Sequence, residues 1–149
     1  MTITMPQKAV TDELTALLHG VGLRVTAQRL AVLLALETRR HADADEIFAA
    51  VRPTLPGTSV QAVYGVLGAL HTAGLVRRIE PAGSTARYER RIDDNHHHLV
   101  CERCNRVEDV DCVVGAAPCL TPSNTSGFEI HSAEITFWGL CSECQHFRG

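Results

Sequence analysis

Two Cys-x-x-Cys pairs, Cys101 with Cys104 and Cys141 with Cys144, stand 36 residues apart in a chain of 149. Each pair can present two thiolates from one tight turn, and four thiolates offered this way match the ligand set of a single tetrahedral zinc ion. One such pair reads equally well as a thioredoxin-like redox centre, but two in so short a chain weigh toward a structural metal. His96-His97-His98 runs directly before the first pair. A zinc ion that already holds four sulfurs has no vacancy for an imidazole, so the histidines point to a second site.

The chain that must position these groups is 45% apolar and 21% charged, ordinary for a globular protein and enough to bury a core. It has no apolar run of about 18 residues and no charged-then-apolar leader, so a cytoplasmic location without a membrane partner is expected. There, its six cysteines are expected to stay reduced as ligands or redox sensors. The net charge of −3 hides an asymmetry: residues 1–92 carry 11 Lys/Arg against 8 Asp/Glu, and residues 93–149 carry 3 against 9. The basic half suits phosphate and the acidic half cations, which favours two domains, 1–92 and 93–149.

Helical spacing of Val10, Leu14, Leu17 and Leu18 predicts a helix over 8–19, stopped by Gly20 and Gly22. Thr26 can cap a second helix, with Arg24 and Arg29 at its start and Leu30, Leu33, Leu34 and Leu36 facing inward. A third begins near Asp43, buries Ile47, Phe48 and Val51, and ends at Pro53 and Pro56. Ser59 caps a fourth, running through Val63, Val66, Leu67 and Leu70 to Gly74. Strands over 75–80 and 85–91, joined by the Pro81-Ala82-Gly83-Ser84 turn, complete a winged helix-turn-helix pattern; a small helical core with an incidental hairpin is the plainer alternative. The fourth helix is then the DNA-reading one, with Ser59, Gln61 and Tyr64 able to reach bases or phosphates. Residues 92–95 form a hinge, strands are expected at 99–101, 107–110 and 129–138, and 115–127 is expected to be a loop.

Arg24-Val25-Thr26-Ala27-Gln28-Arg29, His41 before an acidic helix, Val63-Tyr64, Arg87-Tyr88-Glu89, and His96-His97-His98 with two Cys-x-x-Cys pairs together resemble the ferric uptake regulator family. The resemblance runs from about residue 10 to 145. It implies an α+β chain, a winged helix-turn-helix domain followed by a small α/β dimerisation domain with a structural zinc. It also implies a homodimeric, metal-dependent repressor of double-stranded operator DNA rather than an enzyme, with no small organic substrate. Cys101, Cys104, Cys141 and Cys144 match the family's structural zinc. His41, Glu89, His96, His98 and Asp109 match its regulatory site, an N/O ligand set suited to Fe(II), Mn(II) or Zn(II), of which Fe(II) or Mn(II) is expected here, and an ion there would lock the two domains' relative orientation. His97 should face the other way on an extended strand.

The chain departs from the family at several points. Ala62 and Gly65 replace the usual Thr and Arg around Val63-Tyr64, and Asn95 and Ala133 stand where many members carry ligands of another metal site. The stretch 111–127 lacks an amphipathic helix but holds Asp111-Cys112 and Pro118-Cys119-Leu120, as in the catalase-associated, peroxide-responsive actinobacterial branch. Peroxide is therefore the expected signal, with metal availability alone as the alternative and a Cys112–Cys119 thiol switch as a rival route. A metalloenzyme built on His96 and His98 would need a general base and a pocket, and no His-Glu-x-x-His signature occurs. A zinc-ribbon interaction module would leave the basic half unexplained.

Overall fold

Short polar side chains start three of the helices of the N-terminal unit. Thr26 accepts a hydrogen bond from the Arg29 N–H at 3.1 Å and opens α2 (Ala27–Thr38), and Ser59 accepts from the Ala62 N–H at 3.1 Å to open α4 (Val60–Thr72). Helix α3 (Ala44–Val51) begins with a reciprocal pair: Asp43 accepts from the Glu46 N–H at 2.8 Å and Glu46 from the Asp43 N–H at 2.9 Å. Each arrangement satisfies backbone donors that a helix start leaves without intrahelical partners. Helices α1 (Gln7–Gly20) and α4 end at glycines in left-handed conformation, Gly22 at φ 73° and Gly74 at φ 79°. In both, the next residue's N–H reaches back to the last turn, Leu23 to the Leu18 carbonyl and Leu75 to that of Leu70.

The computed structural model describes residues 7–81, 83–90, 96–111, 122–130 and 133–147, and of His96 the backbone alone. The expected hinge at 92–95, Cys112, Cys119, His131 and the first part of the 115–127 loop lie outside the described residues. The chain divides into two units, Met1–Ile92 and Asp93–Gly149. In the first, Leu14, Leu18, Leu33, Ile47, Leu67 and Leu70 form the centre of the helical core. The hairpin β1 (Val76–Ile79) and β2 (Arg87–Arg90) is antiparallel and adds Val76 and Tyr88 to that core. Arg90 of β2 pairs with Glu37 of α2, tying the hairpin to the helices.

The second unit holds a three-stranded sheet in the order β4-β3-β5. Strand β3 (His96–Cys101) runs antiparallel to β4 (Val107–Asp111) and parallel to β5 (Thr136–Gly139), after which comes α5 (Ser142–His146). The strand expected over 129–138 is a correction: among the described residues of that stretch the strand spans Thr136–Gly139, starting later than expected and continuing one residue beyond the expected end. The reason is the partner, since β3 offers its backbone to this segment only from His98 to Cys101. Helix α5 was not foreseen, because five residues are too few to show a helical period. The described end of the loop, 122–127, turns at Ser126 and Gly127 as its composition predicts. No described helix is long and apolar enough to cross a membrane.

The three caps make a stability prediction. Asp43→Ala removes the carboxylate that accepts from the Glu46 N–H and should lower unfolding free energy by about 1 kcal/mol, measured by urea denaturation followed by circular dichroism. An unchanged midpoint would show that α3 is held by packing alone.

Candidate functional site

The second unit brings the four cysteines together. Cys101 closes β3, Cys104 follows in the turn, Cys141 precedes α5 and Cys144 lies within it. The turn takes its shape from Asn105, which adopts φ 60° and donates its N–H to the Cys101 carbonyl at 2.9 Å. Asparagine tolerates that conformation better than most residues. Arg103 binds the two cysteine turns to one another, donating to the Cys144 carbonyl at 3.1 Å and the Phe147 carbonyl at 3.3 Å.

All four sulfurs lie within 4.8 Å of one another, and Cys104 Sγ is 3.8 Å from Cys141 Sγ. A tetrahedron of sulfurs at about 2.3 Å from a central zinc has edges of about 3.8 Å, so the residues present fit a tetrahedral ion. The electrostatics agree. The Cys101 thiol is pulled down to about 6 by the backbone N–H groups of Cys141, 3.4 Å from its sulfur, and of Cys104. The Cys144 thiol is pushed up to about 12 by its bond with the Cys141 side chain and by burial. The first proton leaves readily and the last resists, as expected of clustered thiols without a cation to neutralise them.

The histidines and carboxylates form a buried pair in the first unit and a partly buried one in the second. In the first, His41 Nε2 lies 2.9 Å from Glu89 Oε2, and both residues are buried. His41 is held at φ 59°, an uncommon conformation for histidine, by β2: Arg87 donates to the His41 carbonyl at 3.1 Å and the Tyr88 N–H to the Ala42 carbonyl at 2.8 Å. Glu89 sits opposite Arg77 in the hairpin, and its Oε1 is 3.6 Å from Arg77 Nη1. In the second unit, His98 on β3 is directly opposite Asp109 on β4, with Nε2 3.4 Å from Oδ1. Opposed residues of an antiparallel pair share a face, so register alone aims this carboxylate at this imidazole. His96 is opposite Asp111 by its backbone. His97 alternates to the other face, where its ring meets Phe137 edge-on at 6.4 Å. Imidazole and carboxylate donors of this kind suit borderline and hard divalent ions.

In the first unit, α4 turns Gln61, Tyr64, Gly65 and Gly68 to solvent, with Tyr64 52% exposed, while Val63, Val66, Leu67 and Leu70 are buried. Ser59 is exposed at the head of this helix, but its hydroxyl is engaged in the cap. Arg24 is exposed in the segment leading into α2, and its carbonyl accepts from Arg29 Nη1 at 2.6 Å. Sequence reasoning missed Arg77, Arg87, Arg103 and Asn105, which support the proposed ligands. The two hairpin arginines were legible only as the alternating positions of β1 and β2.

The profile of the ferric uptake regulator family matches residues 20–138. The chain is 57% identical over 127 residues to the transcriptional regulator FurA of Mycobacterium tuberculosis, covering 85% of this chain and 86% of that protein. It is 30% identical over 135 residues to the peroxide-responsive repressor PerR of Staphylococcus aureus, covering 90% of each. Its fold is similar to that of the Helicobacter pylori ferric uptake regulator Fur, with a TM-score of 0.72, 21% identity and 100% of both chains covered.

Cys101→Ser should purify with far less zinc than the wild type by elemental analysis, because it removes the thiol that ionises most readily. In the wild type, zinc affinity should fall as pH is lowered, since protons then compete for the sulfurs, and loading should release protons into a weakly buffered solution. Equal zinc content in the variant, or loading without proton release, would refute metal ligation by these thiols.

Proposed function

We propose, from the premise that this chain belongs to the ferric uptake regulator family, that it is a homodimeric repressor whose hold on operator DNA needs a regulatory metal ion and is lost when peroxide oxidises that ion's ligands. Family membership makes it a metal-responsive transcriptional regulator and not an enzyme. The observation that carries the reading is the buried His41–Glu89 pair, which lies in the same unit as the exposed face of α4. A buried carboxylate with an imidazole in a helical unit has no need of that arrangement for packing and is suited to a cation.

We assign Cys101, Cys104, Cys141 and Cys144 to structural zinc, and His41, Glu89, His96, His98 and Asp109 to Fe(II) or Mn(II). Residues 1–92 are assigned to DNA binding and 93–149 to dimerisation, with the chain working in the cytoplasm where its operator lies. Leu99 and Phe137, neighbours in register on one sheet face and 43% and 50% exposed, support dimerisation through that unit. On DNA, the head of α4 with Ser59, Gln61 and Tyr64 faces the duplex, and Arg24 supplies charge to a phosphate. Two-fold symmetry then matches an inverted repeat.

Fe(II), when bound by these residues, would supply the activation of peroxide, chemistry that Mn(II) offers far less readily. One imidazole, that of His41 or of His96, would take up one oxygen atom at a ring C–H while the other oxygen of the peroxide leaves as water. An oxidised ring is a poorer ligand, so metal and DNA are both released. The similarity to a peroxide-responsive repressor supports this signal. The family's name favours a second reading, a sensor of iron availability without peroxide chemistry.

Two measurements test these assignments. Arg24→Ala should weaken binding to an inverted-repeat operator across all salt concentrations and reduce the salt slope by about 1 for each protomer, at unchanged metal content. Identical binding isotherms would remove Arg24 from the interface. Brief peroxide treatment followed by peptide mass spectrometry should add about 16 Da to His41 or His96 in the Fe(II) form and not in the Mn(II) form. A loss of about 2 Da joining Cys112 to Cys119 would assign the signal to thiols instead, and an unmodified Fe(II) form still on DNA would leave iron availability as the input.

A further inference from the structure

We propose that Arg77 is a built-in counter-charge that weakens the regulatory site's grip on divalent cations and so sets the concentration at which the site fills. The inference rests on the reading of Glu89 as a ligand of that site.

Arg77 and Glu89 are directly opposed on β1 and β2, so their side chains share one face of the hairpin. The guanidinium Nη1 stands 3.6 Å from Glu89 Oε1, while Glu89 Oε2 faces His41 Nε2 at 2.9 Å. The carboxylate thus lies between two nitrogen groups. Its side chain is 6% exposed and that of Arg77 only 20%, so water and salt screen the pair far less than they would at the surface. A carboxylate shared with a fixed positive charge offers an incoming cation less than its full negative charge, and the guanidinium also repels the cation directly. Arginine keeps its charge throughout the working pH range, so the opposition is constant. A structural site gains nothing from such opposition, whereas a sensing site must empty when its ion becomes scarce.

The next residue provides the comparison. Arg78 alternates to the other face of β1, where its side chain is 45% exposed and pairs with Glu80 at 3.4 Å. It carries the same charge one position away, but in solvent and against a different carboxylate. A general effect of net charge would be felt at both positions, a local counter-charge at Arg77 only.

Full-length protein with the four-cysteine site filled by zinc would be titrated with Mn(II) against a competing fluorescent chelator, comparing wild type with Arg77→Gln, Arg78→Gln and Glu89→Gln. Zinc content and circular dichroism would be recorded for each. Arg77→Gln should bind Mn(II) roughly tenfold or more tightly than wild type, and Arg78→Gln should stay within about twofold of it. Glu89→Gln should bind more weakly. A folding defect in Arg77→Gln would weaken binding, so the expected sign cannot arise from damage. If Glu89→Gln weakens binding but Arg77→Gln leaves it unchanged or weaker, the counter-charge is overturned and the ligand assignment stands. Equal tightening by Arg78→Gln would overturn it as well, in favour of net charge. If Glu89→Gln binds as wild type does, Glu89 is not a ligand and the reading beneath the inference falls with it.

Discussion

Four sulfur atoms within 4.8 Å of one another cannot all carry negative charge unless a cation lies among them. That constraint bears on the second unit, whose described part buries little apolar surface. Among its described residues, only Val100, Cys101 and Cys144 are buried apolar groups, too few to hold a three-stranded sheet by hydrophobic burial. The cysteine turns add what the described core does not: one ends β3, the other follows β5, and because these strands run parallel, joining the turns ties the sheet together at one end. The Cys101 thiol is pulled down by the backbone N–H groups of Cys141 and Cys104, so the cluster already favours one thiolate. On the zinc assignment proposed above, metal binding and folding of this unit would be one process.

Strand β3 carries the consequences of that closure. Its alternation sends His98 and Val100 to one face and His97 and Leu99 to the other, and its antiparallel register with β4 sets Asp109 against His98. The strand that ends in Cys101 therefore also aims an imidazole–carboxylate pair. A slip of one residue between β3 and β4 would separate His98 from Asp109, so the cysteine cluster, by fixing the end of β3, protects the register on which that pair depends.

The first unit reaches a similar pair by another route. There the helical core is large enough to fold by burial, and the hairpin packed on it positions the chemistry. Strand β2 contributes Tyr88 to the core, Glu89 to His41, and Arg87 to the backbone of the same histidine. The hairpin thus holds His41 in the left-handed region, uncommon for residues other than glycine, through the bonds from Arg87 and Tyr88. Helix α4, buried by Val63, Val66, Leu67 and Leu70, leaves its opposite face exposed.

The sequence by itself determined what depends on neighbours along the chain. The caps at Thr26, Asp43 and Ser59, the glycine stops, the hairpin turn and the two cysteine pairs are local, because capping and metal chelation each act over three or four residues. The family likeness, carried by ordered motifs, supplied His41, Glu89 and Asp109, which no local signal marks as ligands. Only the tertiary structure decided which residues support them. Arg77 meets Glu89, Asp109 meets His98 and Arg103 joins the cysteine turns because strand register and turn geometry bring them there. Strand β5 is short for the same reason: a strand exists where a partner's backbone lies alongside, and alternation in the sequence cannot say where that partner ends.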